Sequence, residues 1–346
     1  MKLGLILGYS GKHISLPMDL IHHAESLGFD SVWTAEAYGS DAVSPAAWIL
    51  AQTRKIRVGT AIMQIPARTP AMAAMTAMTL AELSGNRFIL GLGASGPQVV
   101  EGWHGQPYGK ALARTREYVE IIRRIFAREE PVSFNGEVYQ MPFKGTDSVG
   151  LGKPLKSILD ANTAIPIYSA SITPGGVRTA AELCDGFFPV WMDPEQAHVF
   201  DKSINEGFAR AGDGKSLDRF DVAPFVTAIM HDDVDEARWP VKQNLALYIG
   251  GMGARGRNFY NDYAIALGHA DAAKVIQDLY LGGRKDDAAR AVPDALVDAV
   301  ALVGPKDRIR ERLARWRTAG ARRQVTSMLI GTFQKETMEL LAQEIL

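Results

Sequence analysis

Eight short apolar runs, separated by helical patterns, constrain this sequence more than any other feature. They fall at 3–8, 31–35, 56–62, 88–92, 165–170, 186–191, 222–230 and 325–330. Most are continuously hydrophobic rather than alternating, as parallel strands covered on both faces require. The stretch 16–27 illustrates what lies between them: Leu20, Ala24 and Leu27 share one helical face, and Gly28 is a natural stop. Eight such units predict a (β/α)8 TIM barrel, which needs about 250 residues. The 346 residues leave a surplus, which falls at about 130–164 and 240–296. In the first stretch, Asn135-Gly136 between two short β runs predicts a hairpin. In the second, the glycine-rich run IGGMGARGRNFYNDY is expected to form an irregular cap over the site. The organisation expected is one domain over 1–346 with two insertions.

Composition excludes several classes of function. Lys and Arg total 38 against 39 acidic residues, so no net field draws the chain to nucleic acid or anionic membrane. Cys184 is the sole cysteine, which rules out an intrachain disulfide or a cysteine-cluster metal site. The first eight residues turn polar too soon for a signal peptide, and no apolar run approaches the roughly 20 residues that span a bilayer. A cytoplasmic protein is expected. His22 and His23 are adjacent on a helix and point apart, while His13, His104, His198, His231 and His269 are scattered, so no metal is expected. The arginine-rich stretch 306–323 carries the stripe Ile309, Leu313 and Trp316, which makes its arginines a solvated helix face. No G-x-S-x-G elbow is present.

Three motifs sit at strand ends, where rigid scaffolds present chemistry. GLGASG, 91–96, fits G-x-G-x-x-G, but no acidic residue closes a strand some 20 positions on. Its glycines instead let backbone approach a flat ligand. In SASITPGGVRTAAELCDGFFP, 169–189, a strand ends in hydroxylated residues and a helix is predicted from about Val177. Free N–H groups at such a helix start suit a phosphate. The third is GTAIMQIPARTP, 59–70, where an apolar strand breaks into a polar elbow.

Taken together, these stretches resemble the luciferase-like monooxygenase family, and within it the branch that uses coenzyme F420, a 5-deazaflavin. The likeness is carried by GFDSVWTAEAYGSD, by IRVGTAIMQIPARTPAMAAMTAMTLAELSGNRFILGLGASGP and by PGGVRTAAELCDGFFP, and it runs from residue 1 to about 345. It implies a non-prolyl cis peptide at Ala61–Ile62, bulging behind the ring. The cofactor residues it implies are Glu36, Ala61, Ile62, Gly93, Ala94, Ser95, Thr173, Gly175, Gly176 and Val177. Many relatives carry Asp-His at the end of the second strand; here the pair is Glu36-Ala37, which leaves Glu36 as the sole catalytic candidate. The family's sugar-phosphate dehydrogenases have Glu where this chain has Ala94, so another substrate is implied. A mostly apolar small molecule is expected at Tyr38, Gln64, Trp103, His104, Met252, Arg257, Asn258 and Tyr260. A homodimer is expected. Two other readings stand beside hydride transfer: an FMN-dependent monooxygenase fed by a partner reductase, and a non-catalytic binding barrel.

Overall fold

The computed structural model describes residues 1–9 and 11–346. Its barrel strands are β1 Lys2–Ile6, β2 Ser31–Thr34, β3 Arg57–Thr60, β4 Phe88–Gly93, β5 Ile167–Ala170, β6 Gly186–Phe188, β7 Phe225–Met230 and β8 Ser327–Gly331. Each predicted run overlaps one of them. All pairings between neighbours are parallel, and β8 returns to β1 through Lys2↔Ser327 and Leu5↔Ile330. The ring closes through a change of partner. Asp221–Val222 pairs with β6, and three residues later Phe225–Thr227 pairs with β8. Pro224 lies at the switch and has no N–H to leave unsatisfied, while its carbonyl accepts from the Leu329 N–H at 2.9 Å.

The helices are α1 Met18–Ser26, α2 Val43–Gln52, α3 Pro70–Ser84, α4 Pro97–Gly102, α5 Ala111–Ala127, α6 Pro174–Leu183, α7 Asp201–Ala211, α8 Val234–Ala246, α9 Phe259–Ala266, α10 Ala270–Leu281, α11 Lys285–Arg290, α12 Asp294–Val300, α13 Lys306–Ala321 and α14 Lys335–Ile345. Local chemistry sets their ends. In α3, the Thr69 hydroxyl accepts from the Met72 N–H, Pro70 opens the first turn, and Gly85 ends the helix at φ +65°. Its inward face, Ala73, Ala74, Ala77 and Ala81, is small and fully buried, so the helix lies close to the sheet.

The barrel interior is solid. Trp33, Tyr168, Phe188 and Phe225 stack across it, with successive ring centroids 5.1–5.6 Å apart. Missing side chains make the room: a Cβ on Gly59 would lie 2.2 Å from the Trp33 ring, and one on Gly91 only 1.7 Å from the Thr60 carbonyl oxygen. The first glycine of GLGASG is thus a packing device. Below the rings, the Tyr168 hydroxyl donates to Asp221 at 2.5 Å, and Ser327, Thr326 and Lys2 converge on the same carboxylate.

Several details differ from the sequence reading. The hairpin pairs Phe134 with Met141, so its loop is four residues rather than Asn-Gly alone. The Glu117 carboxylate holds that loop by accepting the N–H groups of Glu137, Val138 and Tyr139. The stretch 249–263 is mostly helical: a π turn, Leu247–Gly251, continues α8, and Asn258 caps α9. Only 252–258 is irregular. Gly250 and Gly251 serve packing, since a Cβ on either would lie 2.4–2.5 Å from Tyr280. A further strand, Leu302–Gly304, pairs outside the ring with the end of β7. Among the described residues, no helix is long and apolar enough to cross a membrane.

Candidate active site

The elbow after β3 is the keystone of the barrel mouth. The Ala61–Ile62 peptide is cis, as the resemblance implied. Beyond it, Met63–Gln64 runs as a short strand beside β4, with Gln64 paired to Gly93. The Ile62 side chain occupies the space a Cβ on Gly93 would need, 2.8 Å from that position. Ala61, Ile62 and Gly93 therefore form one continuous shelf, and Ala94 and Ser95 (the latter at φ +61°) lead from it into α4.

Glu36, 7% exposed, ties the shelf to β2. Its Oε1 accepts from the Gln64 N–H at 2.7 Å and from Arg68 Nη1 at 2.7 Å. Its Oε2 accepts from the Ala42 N–H at 2.9 Å and from Arg68 Nη2 at 3.1 Å. Burial works against the charge on Arg68, but the hydrogen bonds and charge of Glu36, with Asp41 beyond, hold its pKa above the ordinary arginine value. With both oxygens engaged in this way, Glu36 is a brace rather than an exposed acid. Arg68, a single arginine inside the elbow, completes the brace and was missed by the sequence reading.

Gln64 is 1% exposed and fully engaged. Its Nε2 donates to the carbonyls of Glu36 at 3.2 Å and Ala37 at 2.9 Å, and its Oε1 lies 2.6 Å from His104 Nε2. Beside His104, the Trp103 ring tilts toward Tyr38 with centroids 6.5 Å apart. The structure thus gathers Tyr38, Gln64, Trp103 and His104.

The other four substrate candidates divide. Tyr260 joins an aromatic wall, 4.8 Å from Tyr248 and 5.3 Å from Trp191 between ring centroids. The Tyr248 and Tyr9 hydroxyls are 3.4 Å apart. Burial raises the Tyr260 phenol to about 12, with Tyr9 and Tyr108 adding to the effect, and burial raises Tyr248 further. Asn258, by contrast, is buried scaffold: its Nδ2 donates to the Tyr248 and Ile249 carbonyls and its Oδ1 caps α9. Met252 and Arg257 lie exposed on the irregular turn. Tyr9, Trp191 and Tyr248 were not foreseen, because an isolated aromatic near a strand end gives no spacing signal.

Helix α6 begins at Pro174, three residues earlier than expected. The Val177 N–H therefore lies inside the helix and donates to the Thr173 carbonyl at 2.9 Å, so it is taken out of the anion site. The Gly176 N–H reaches the Thr173 hydroxyl at 3.3 Å, and the Gly175 N–H has no partner among the described residues. Ser171, also unforeseen, closes the group. A Cβ on Gly176 would sit 1.9 Å from its hydroxyl oxygen. One free N–H and two hydroxyls, gathered where Gly176 has no Cβ, make a cradle fit for a phosphate oxygen.

A closed parallel barrel with a glycine shelf, an aromatic wall and a hydroxyl-lined helix start at the C-terminal ends of its strands has the layout of barrel enzymes, whose sites sit at that face. Comparison with known proteins places the chain within that class. The luciferase-like monooxygenase family model matches residues 5–323, and the chain belongs to that family. It is 44% identical over 344 residues, 99% of its own length and 98% of the other's, to a Mycobacterium tuberculosis protein provisionally named as a coenzyme F420-dependent oxidoreductase. It is 30% identical to the 5,10-methylenetetrahydromethanopterin reductase of Archaeoglobus fulgidus, covering 100% of this chain and 99% of that one. The solved coenzyme F420-dependent tetrahydromethanopterin reductase of Methanopyrus kandleri shares the fold at a TM-score of 0.77 and 23% identity, over 99% of this chain and 98% of that chain.

Proposed function

We propose that this chain is a coenzyme F420-dependent oxidoreductase acting on a small, mostly apolar organic substrate. The observation that carries the reading is the 44% identity, sustained over 99% of the chain, to a Mycobacterium tuberculosis protein provisionally named as a coenzyme F420-dependent oxidoreductase. The site fits such a group: the free Gly175 N–H and the Ser171 and Thr173 hydroxyls offer donors to a phosphate oxygen, and Gly93, which has no side chain, lets Ile62 pack against its backbone to form a shelf for a flat ring. Bound there, the deazaflavin supplies the hydride chemistry, and the protein supplies binding, orientation and exclusion of water. The Gly175 N–H and the Ser171 and Thr173 hydroxyls hold the phosphate; Ala61, Ile62, Gly93, Ala94 and Ser95 back the ring. Glu36 and Arg68 keep Gln64, and hence the shelf, in register. The wall of Tyr248, Tyr260 and Trp191 carries no charge, and Ala94 offers no carboxylate to a sugar, so an apolar acceptor such as an enone, ketone or imine suits it.

The working unit is a homodimer in the cytoplasm that needs neither nucleic acid nor membrane. Support comes from the balanced charge and from Trp48 on α2 and Met72 and Met75 on α3, which are 61%, 52% and 56% exposed. Titrating the protein with oxidised F420 and with FMN while following tryptophan fluorescence tests the cofactor. Micromolar F420 binding is expected; FMN binding with none for the deazaflavin overturns the proposal in favour of the monooxygenase reading.

A further inference from the structure

We infer that His104 is the proton-transfer group of this site and that Gln64 fixes which ring nitrogen does the work. The inference rests on the proposed function and adds to it a residue and an atom.

Gln64 decides the matter through its own hydrogen-bond inventory. A side-chain amide has two donor hydrogens on nitrogen and an acceptor oxygen. Both hydrogens are committed, to the carbonyls of Glu36 and Ala37. A carbonyl can only accept, so the amide cannot be flipped, and Oε1 must be the atom that faces the imidazole. At 2.6 Å from Oε1, His104 Nε2 must then carry a hydrogen and donate it. In the neutral ring Nδ1 holds the lone pair, and in the imidazolium Nδ1–H is the proton free to leave. No side chain or backbone group partners Nδ1 among the described residues.

The placement suits the role. Gln64 is paired in register with Gly93, so the imidazole stands one hydrogen bond from the shelf. Glu36 cannot take the task, because its four hydrogen bonds are made within the brace. In the reducing direction the acceptor carbon gains a hydride from the reduced deazaflavin, which is oxidised by two electrons. The C=X π pair moves onto X, and X takes the proton from His104 Nδ1. The ring is left neutral with Nε2–H still bound to Gln64, and solvent restores the proton. Oxidation of an X–H substrate runs the same steps backwards.

The test has two independent readouts. Long-range proton–nitrogen NMR of 15N-histidine-labelled protein at a pH where the ring is neutral, with the His104 signal assigned by its loss in His104→Asn, should give the Nε2–H tautomer. A neutral Nδ1–H tautomer overturns the inference. Gln64→Met should let both tautomers appear; a pure Nε2–H ring in that variant overturns the role of Gln64. In single-turnover kinetics, the acceptor that the wild type reduces fastest from a panel of enones, ketones and imines serves as probe. His104→Ala should bind F420 within about twofold of wild type yet transfer hydride about 100-fold more slowly, with added imidazole restoring part of the rate. A wild-type rate in that variant, with cofactor bound, overturns the inference alone. A wild-type protein that binds no F420, or reduces nothing in the panel, overturns the proposed function itself.

Discussion

Replacing Glu36 with Gln removes one charge from the brace beneath the active site and changes little in shape. The carboxylate accepts four hydrogen bonds, at 2.7, 2.7, 2.9 and 3.1 Å. An amide keeps one acceptor oxygen. Whichever way it turns, its NH2 faces a backbone N–H and an arginine N–H, so two of the four contacts become donor against donor. Arg68, whose side chain is 19% exposed, also loses its counter-charge. Breaking a buried pair from one side costs about 3–5 kcal/mol. Asp41 at 3.8 Å remains as a second carboxylate for Arg68, which sets the expectation near the lower end, about 3–4 kcal/mol. For 346 residues at about 2.1 cal/mol/K each, the unfolding entropy is about 0.7 kcal/mol/K, so the Tm should fall by about 4–6 °C. Calorimetry at pH 7 without ligands reads this directly. Because the two side chains share one interaction, Glu36→Gln with Arg68→Leu should cost less than the sum of the single changes, by about 1–3 kcal/mol. A Tm within 1 °C of wild type, or strictly additive variants, would refute the brace. An unchanged Tm with abolished turnover would return Glu36 to the role of acid.

Three further outcomes are expected. Gly176→Asp should lower F420 affinity by at least about tenfold in a folded protein, since a carboxylate would oppose the phosphate and occupy its approach; unaltered affinity by fluorescence titration removes the cradle. Gly91→Ala should cost about 3 kcal/mol or more or prevent folding, because its Cβ would meet the Thr60 carbonyl at 1.7 Å, and a Tm within 2 °C of wild type would contradict that packing. Burial pushes the Asp221 carboxyl up, but Lys2 and the donors on Thr326, Tyr168 and Ser327 outweigh it and leave the pKa below the ordinary aspartate value. A depressed carboxylate stabilises above its unfolded pKa, about 3.9, and that contribution is lost as the pH falls through the lower folded value. The stability gap between wild type and Asp221→Asn should therefore be widest near neutrality and close below about pH 4; a gap constant from pH 7 to pH 3 in chemical denaturation would contradict the assignment.

The barrel was legible because burying both faces of a parallel strand leaves a continuous apolar run, a signal each strand carries by itself. The shelf was legible for a different reason: its residues were implied by the family resemblance, which the elbow and GLGASG carry as contiguous motifs at strand ends. What stayed hidden depends on partners distant in sequence. Arg68 matters only through Glu36, 32 positions away, and Ser171 only because Gly176 lacks a Cβ. Val177 was misjudged because Thr173 caps α6 three residues early, a boundary set by one hydroxyl. The wall of Tyr9, Trp191 and Tyr248 draws on three separate stretches of chain. The irregular segment proved shorter than expected because glycines at 250 and 251 read as freedom, when the space they leave is filled by Tyr280.

The stacked rings of Trp33, Tyr168, Phe188 and Phe225 carry a kinetic consequence. They fill the barrel beneath the shelf and pack against Ala61 and Ile62, so a ligand on the shelf is reached from the barrel mouth, as in a cup. Under the proposed function, a planar group lying on that shelf is covered by whatever binds above it. Traffic is then last in, first out: the deazaflavin must load before substrate, and it cannot be exchanged until product has gone. Such a cup enforces a compulsory order of addition, so the oxidised deazaflavin should inhibit competitively with the reduced one, and the organic product should give mixed inhibition against both.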